Sequence, residues 1–171
     1  MQGLIQVYTG DGKGKTTAAL GLALRAAGAG LKVFIGQFLK GAEYSEIKAL
    51  RQLAPGIEIK QYGRRCFIKD KPDEEDIRLA QNGLREMESV IQSGDYNLVI
   101  LDEANIAVYY NLFSVDELLK VVQNRPKQVE IVITGRNADS RIIAAADLVT
   151  EMREIKHYYQ KGIAARLGIE M

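Results

Sequence analysis

The chain has 171 residues, enough for one domain with its own buried core. Hydrophobic residues make up 47% and charged residues 26%, the balance of an ordinary soluble globular protein. With 23 basic against 22 acidic side chains the formal charge is +1, which argues against a general nucleic-acid binder but leaves room for a local phosphate pocket.

The single cysteine, Cys66, allows neither an internal disulfide nor a cysteine-built metal site, and it fits a reducing, cytoplasmic setting. Met1 to Tyr8 lacks the basic start and long apolar core of a secretory signal. The nearest approach to a membrane span, Ala18 to Ile35, is interrupted by Arg25 and Lys32, so no membrane association is expected.

Short β-like runs alternate with helix-like segments along a single domain, 1–171. Leu4 to Tyr8 reads as a strand, Lys15 to Ala29 as a helix rich in Ala and Leu, and Lys32 to Gln37 as the next strand. Tyr44 to Leu53 reads as a helix stopped near Pro55-Gly56, and Ile57 to Gln61 as a short strand. Pro72 suits a helix start, and Asp73 to Ile91 carries helical apolar spacing through Ile77, Leu84, Met87 and Ile91.

Tyr96 to Leu101 is the most apolar strand. Ser114 with Glu117 forms a capping-box pattern for a helix over Val115 to Gln123. Val129 to Thr134 is a strand, Asp139 to Ala146 a short helix, and Leu148 to Glu151 an edge strand. The alternation predicts an α/β fold with a mainly parallel sheet flanked by helices on both faces, of the P-loop NTPase (RecA-like) kind. Ligands of such folds bind at the carboxyl ends of the strands.

Thr9-Gly10-Asp11-Gly12-Lys13-Gly14-Lys15-Thr16-Thr17 lies between the first strand and the first helix. Glycines there let peptide N–H groups turn toward phosphate oxygens, and the helix N-terminus adds partial positive charge. Lys15 is placed to reach a phosphate and Thr16 to offer a hydroxyl to magnesium, which points to ATP. The usual pattern is G-x-x-x-x-G-K-[ST]; here Thr9 stands at the first glycine position and Gly10 comes one residue late.

Leu98 to Leu101 runs into two carboxylates, Asp102 and Glu103. In P-loop proteins acids at this place hold magnesium directly or through water. Adjacent residues of a strand point to opposite faces, so one of the two is expected at the metal. Arg136, after Ile131 to Gly135, ends another strand at the same edge and suits a phosphate contact, though a solvated arginine there is equally ordinary.

The ordered set resembles the bacterial P-loop type of ATP:corrinoid (cob(I)alamin) adenosyltransferase over nearly the whole chain. Its carriers are Tyr8 to Ala19, Gln37-Phe38-Leu39-Lys40-Gly41, Leu101-Asp102-Glu103, Ile133-Thr134-Gly135-Arg136, Ala146 to Glu151, Lys156-His157, Gly162 to Arg166 and Gly168-Ile169-Glu170. The resemblance implies attack of reduced cobalt on the 5′ carbon of ATP and departure of triphosphate.

It further implies Thr16 and Glu103 as ligands of magnesium or manganese, Lys15 with them as a catalytic group, and the loop from Thr9 to Thr17 as the ATP cradle. Arg25 and Arg136 match positions near the nucleotide. A flavoprotein-type electron donor and a homodimer also follow from the family analogy.

Two departures accompany the resemblance. Some relatives carry an N-terminal extension that helps cover the corrinoid, whereas here the first strand starts at about the third or fourth residue, a boundary good to a few positions. Relatives also place bulky aromatics after the third strand to displace the lower cobalt ligand. In Tyr62-Gly63-Arg64-Arg65-Cys66-Phe67-Ile68 the corrinoid-proximal candidates are Phe67 and Ile68. The lone histidine, His157, is read as structural before substrate-proximal. Two other functions remain open on the residues: a P-loop ATPase or phosphotransferase, and a nucleotide-gated adenosylcobalamin carrier.

Overall fold

The computed structural model describes residues 2–42, 44–53, 55–64 and 71–170. In chain order the elements are β1 (Ile5–Thr9), α1 (Lys15–Gly28), β2 (Val33–Phe38), α2 (Ser45–Leu53), β3 (Ile57–Tyr62), α3 (Glu74–Ser93), β4 (Leu98–Asp102), α4 (Ala104–Tyr109), α5 (Val115–Gln123), β5 (Glu130–Thr134), α6 (Ser140–Ala145) and β6 (Leu148–Glu151). A 3-10 turn follows at Tyr158–Lys161.

The six strands form one sheet in the order β3-β2-β4-β5-β1-β6, and every pairing is parallel. β4 and β5 at the centre are apolar on both faces, because helices cover both. Leu98 and Ile100 pack with Ala19, Ala23 and Ala26 of α1. Val99 and Leu101 pack with Leu84, Met87 and Ile91 of α3, together with Leu118 and Val122 of α5. The alanines of α1 recur at helical spacing, and their small size lets the helix lie close to the sheet. β6 is the expected edge strand, with all four residues exposed.

Local signals account for the helix starts. Asp73 accepts from the amides of Glu75 and Asp76 at the head of α3, and Ser114 with Glu117 closes the expected capping box on α5. The six-residue α4 has no counterpart in the sequence expectations, being too short to display a helical period. Its buried Ala104, Asn105 and Ala107 pack it beneath the strand ends. No helix among the described residues is long and apolar enough to cross a membrane.

Candidate active site

The site grows out of strand alternation. In β2, Val33 and Ile35 face α1, so Gln37, two residues on, faces the same way. In β4 the series is Leu98, Ile100, Asp102, and in β5 it is Val132, Thr134. These three strands are neighbours, and Gln37 is in register with Asp102. Gln37, Asp102 and Thr134 therefore converge at the carboxyl end of the sheet, under the N-terminus of α1, and each is fully buried.

Asp102 is the hub. One carboxylate oxygen accepts from the Thr16 hydroxyl at 2.9 Å and the Thr134 hydroxyl at 2.6 Å. The other accepts from the Gln37 amide at 3.0 Å and the Lys40 ammonium at 2.7 Å. Burial by itself would raise the Asp102 pKa, but the Lys40 charge and these hydrogen bonds outweigh it and hold the carboxyl below its ordinary range. Lys40 responds in kind: burial pulls its ammonium down, the Asp102 carboxylate pushes it up, and the net direction is up.

Glu103 departs from strand geometry. Its backbone is left-handed, at φ 60°, an uncommon state for a residue with a side chain, and it serves as the N-cap position of α4. Its amide donates to the Thr134 hydroxyl at 3.0 Å. That turn ends the alternation that would have sent Glu103 to the opposite face. Among the described residues its carboxylate accepts no side-chain hydrogen bond. Burial raises its pKa, the neighbouring Asp102 adds to the rise, and Lys40, Lys15 and Arg136 oppose it. A carboxylate in such a place is stabilised by added positive charge.

The loop between β1 and α1 is shaped by Gly10 and Gly14, both at positive φ. A Cβ on Gly12 would lie 2.7 Å from the Met152 carbonyl oxygen, so only glycine fits against the chain leaving β6. The Gly12 amide donates to that same oxygen at 2.6 Å. Lys15 folds back into the loop and donates to the carbonyls of Gly10 at 2.6 Å and Gly12 at 2.7 Å. Burial lowers its pKa, and Arg136 lowers it further.

The head of α1 differs from those of α3 and α5. Gly14 supplies no side-chain cap, and the first turn holds no acidic residue. The other two helices have filled capping boxes and acidic first turns. The first amides of a helix need partners, and an oxyanion is the group they suit best. Thr17 is exposed at this opening and Asp11 on the loop beside it.

Arg136 follows the left-handed Gly135, is exposed, and acts electrostatically on both Lys15 and Glu103, so the structure brings it to the loop. Arg25 is not brought there. It stands exposed in the last turn of α1, ten residues beyond Lys15 and so about 15 Å along the axis. Phe67, Ile68 and Cys66 lie outside the described residues.

Lys13 points away from Lys15, to the C-terminal tail. It donates to the Tyr158 hydroxyl at 3.2 Å, the Ile169 carbonyl at 2.9 Å and the Glu170 carboxylate at 3.1 Å. Between loop and tail lies a groove of ≈ 580 Å³ lined by Gly12, Lys13 and residues 153–158. His157 lines it and also caps the 3-10 turn, its Nδ1 accepting from the Tyr159 amide.

Among the described residues no three His, Cys, Asp or Glu side chains cluster to cage a metal. The Thr16 hydroxyl and the Glu103 carboxylate nevertheless suit magnesium, which takes few protein oxygens and completes its shell with phosphate and water. Lys40, Gln37 and Thr134 received no role from the sequence. Strand alternation counted from Val33 and Ile35 reaches Gln37, and counted from Val132 it reaches Thr134, whereas Lys40 lies past the end of β2 and has no such signal.

The whole chain, residues 1–171, matches the family model described as ATP:corrinoid adenosyltransferase BtuR/CobO/CobP. A corrinoid adenosyltransferase of Pseudomonas aeruginosa is 35% identical over 99% of this chain and 84% of its own length. One of Escherichia coli K12 is 34% identical over 99% and 86%. The corrinoid adenosyltransferase CobA of Salmonella typhimurium is 33% identical over the same shares, 99% and 86%. An open helix N-terminus, an inward lysine and an acid-terminated central strand thus stand on a chain whose full length matches, and the chain belongs to the ATP:corrinoid adenosyltransferase family, a family of transferases.

Proposed function

We propose that the Thr9–Thr17 loop holds the triphosphate of ATP while the adenosyl group passes to the reduced cobalt of a corrinoid. The observation that carries this is the uncapped head of α1, with Lys15 buried in the loop beside it and the Thr16 hydroxyl tied to Asp102. The cobalt(I) of the corrinoid substrate donates its electron pair to the 5′ carbon. The bond from that carbon to its oxygen breaks, and triphosphate leaves with the bonding pair.

Each residue has a task. Loop amides, Lys15 and Arg136 stabilise the charge that grows on the departing triphosphate, and Lys13 joins them only by leaving the tail. Lys15 leaves its two loop carbonyls to do so. Thr16 and Glu103 hold magnesium or manganese, which when bound adds positive charge at the same oxygens. Asp102 keeps the Thr16 hydroxyl aimed by taking its proton in a hydrogen bond. Holding the 5′ carbon in line with cobalt supplies the orientation part of catalysis. Thr9, Gly10, Asp11, Gly12, Gly14 and Thr17 complete the cradle, and Arg25 acts there only through a rearrangement that brings it nearer.

Phe67 and Ile68 face the corrinoid. The enzyme works in the cytoplasm as a homodimer with a flavoprotein-type electron donor. These assignments rest on the family resemblance.

The test is an anaerobic assay with ATP-Mg and chemically reduced cob(I)alamin, following both the adenosylcobalamin spectrum and the phosphate products. Adenosylcobalamin with equimolar triphosphate is expected. Lys15→Ala should lower the rate by on the order of a hundredfold to a thousandfold, the usual effect of removing one charge-stabilising donor, and Glu103→Ala should lower it through weakened metal binding. ADP or free phosphate without a cobalt–carbon product would instead identify an ordinary P-loop ATPase.

A further inference from the structure

Lys40 occupies an unusual place. Leu39 takes a left-handed turn, φ 60°, immediately after β2, and turns the chain at the strand end. The turn is clamped by close backbone packing. A Cβ on Gly63 would lie 2.5 Å from the Lys40 amide nitrogen, and one on Gly41 would lie 2.4 Å from the Gly63 carbonyl oxygen. With its backbone so held, Lys40 sends its ammonium into the site with only 16% of the side chain exposed.

The ammonium reaches Asp102 at 2.7 Å and the Thr16 hydroxyl oxygen at 3.3 Å. The single Thr16 proton is already donated to Asp102. What Lys40 takes is therefore one of the two lone pairs of the Thr16 oxygen, and its positive charge stands beside the oxygen that a hard divalent cation would bind. The Tyr44 ring lies 5.9 Å from the ammonium and Glu46 acts on it electrostatically, both on the side of α2.

We propose that Lys40 holds the cation position of the phosphate loop until a metal–nucleotide complex displaces it, so that metal and nucleotide bind together. The inference rests on the preceding assignment of ATP and a divalent cation to this loop. A metal arriving alone must push the ammonium off Thr16 while Asp102 still holds it close by, with only the Tyr44 ring and the charge of Glu46 on the side to which it can move. A metal arriving with triphosphate brings oxygens that receive the ammonium. The swap makes each ligand favour the other, and the coupling is reciprocal. Lys40 is thus a positioning residue: it keeps Thr16 and Asp102 aligned in the empty site and moves to the phosphates when the site fills.

The experiment titrates manganese(II), a paramagnetic stand-in for magnesium, into the full chain with and without ATP, reading free manganese by electron paramagnetic resonance. Wild-type protein should bind manganese weakly alone and tightly with ATP. Lys40→Gln should tighten binding without ATP by roughly 5–150-fold, the common span of coupling between sites, and shrink the benefit of ATP by the same factor. Lys40→Arg, which keeps the charge, should stay weak without ATP.

Circular dichroism checks that the variants fold. Should Lys40→Gln fail to fold, the wild-type Lys40 ammonium resonance, assigned by its loss in Lys40→Arg, should shift on adding ATP with magnesium and hold still on adding magnesium alone. Unchanged or weaker manganese binding by folded Lys40→Gln overturns the role of Lys40 alone. Absence of manganese binding to wild type even with ATP overturns the assignment of the loop itself.

Discussion

The strand-end centre and the tail clasp are built from the same three kinds of group. At the centre they are Lys40, Asp102 and the hydroxyls of Thr16 and Thr134. At the clasp they are Lys13, Glu170 and the hydroxyl of Tyr158. Water separates them. The Lys40 and Asp102 side chains are 16% and 1% exposed, whereas those of Lys13 and Glu170 are 44% and 15% exposed. A buried charge that loses its partner has no solvent to turn to, while an exposed one is rehydrated at once. The same chemistry therefore anchors the fold in one place and makes a releasable latch in the other, on two sides of a single loop.

The largest expected effect breaks the centre. Asp102→Ala leaves the Lys40 ammonium and three hydrogen-bond donors without their acceptor, and should cost about 3–5 kcal/mol of stability in urea unfolding. A loss below about 1 kcal/mol would mean that water reaches the site and that the contrast with the clasp is false.

Next comes the joint between the two regions. Gly12→Ala drives a methyl against the Met152 carbonyl, with 2.7 Å where no such contact is tolerated. A penalty of about 1–3 kcal/mol is expected from the overpacking, together with weakened ATP binding measured by calorimetry. Full ATP affinity in this variant would show that the loop and the start of the tail separate freely.

The smallest effect belongs to the clasp. Glu170→Gln should leave the melting temperature unchanged and raise amide exchange of residues 158–170 several-fold, the behaviour of a locally opening segment. Arg166, Tyr158 and Lys13 hold the Glu170 carboxyl well below the ordinary carboxylate range. Its folded pKa lies under its unfolded one, so its contribution is complete above the ordinary glutamate value of 4.5 and fades as the pH falls through the lower folded value. Tail resonances should accordingly stay in place from neutral pH down to 4.5 and move only below it. Movement between pH 7 and 5 would assign the latch to another group.

Much of this was legible in order along the chain. The alternation of strands and helices, the capping box at Ser114 and Glu117, and the glycine-rich segment before α1 are local signals, and local chemistry produced the elements they announce. Strand alternation separates Asp102 from Glu103, but it carries no sign of the left-handed turn at Glu103. The left-handed turn at that residue depends on Thr134 receiving its amide from the adjacent strand. Lys40 escaped for a similar reason. It stands 24 residues from Thr16 and 62 from Asp102, and nothing in those spacings marks the three as neighbours.

The sequence by itself determined the strands and all the helices but α4, that a phosphate-type loop precedes the first helix, and that two carboxylates end the most apolar strand. Each depends on side-chain periodicity or on backbone freedom within a few residues. Only the tertiary structure decided that β2, β4 and β5 lie side by side, that Lys40 rests on Thr16, and that Lys13 serves the tail. Those contacts follow from the order of strands in the sheet, and that order is chosen by burying both faces at once.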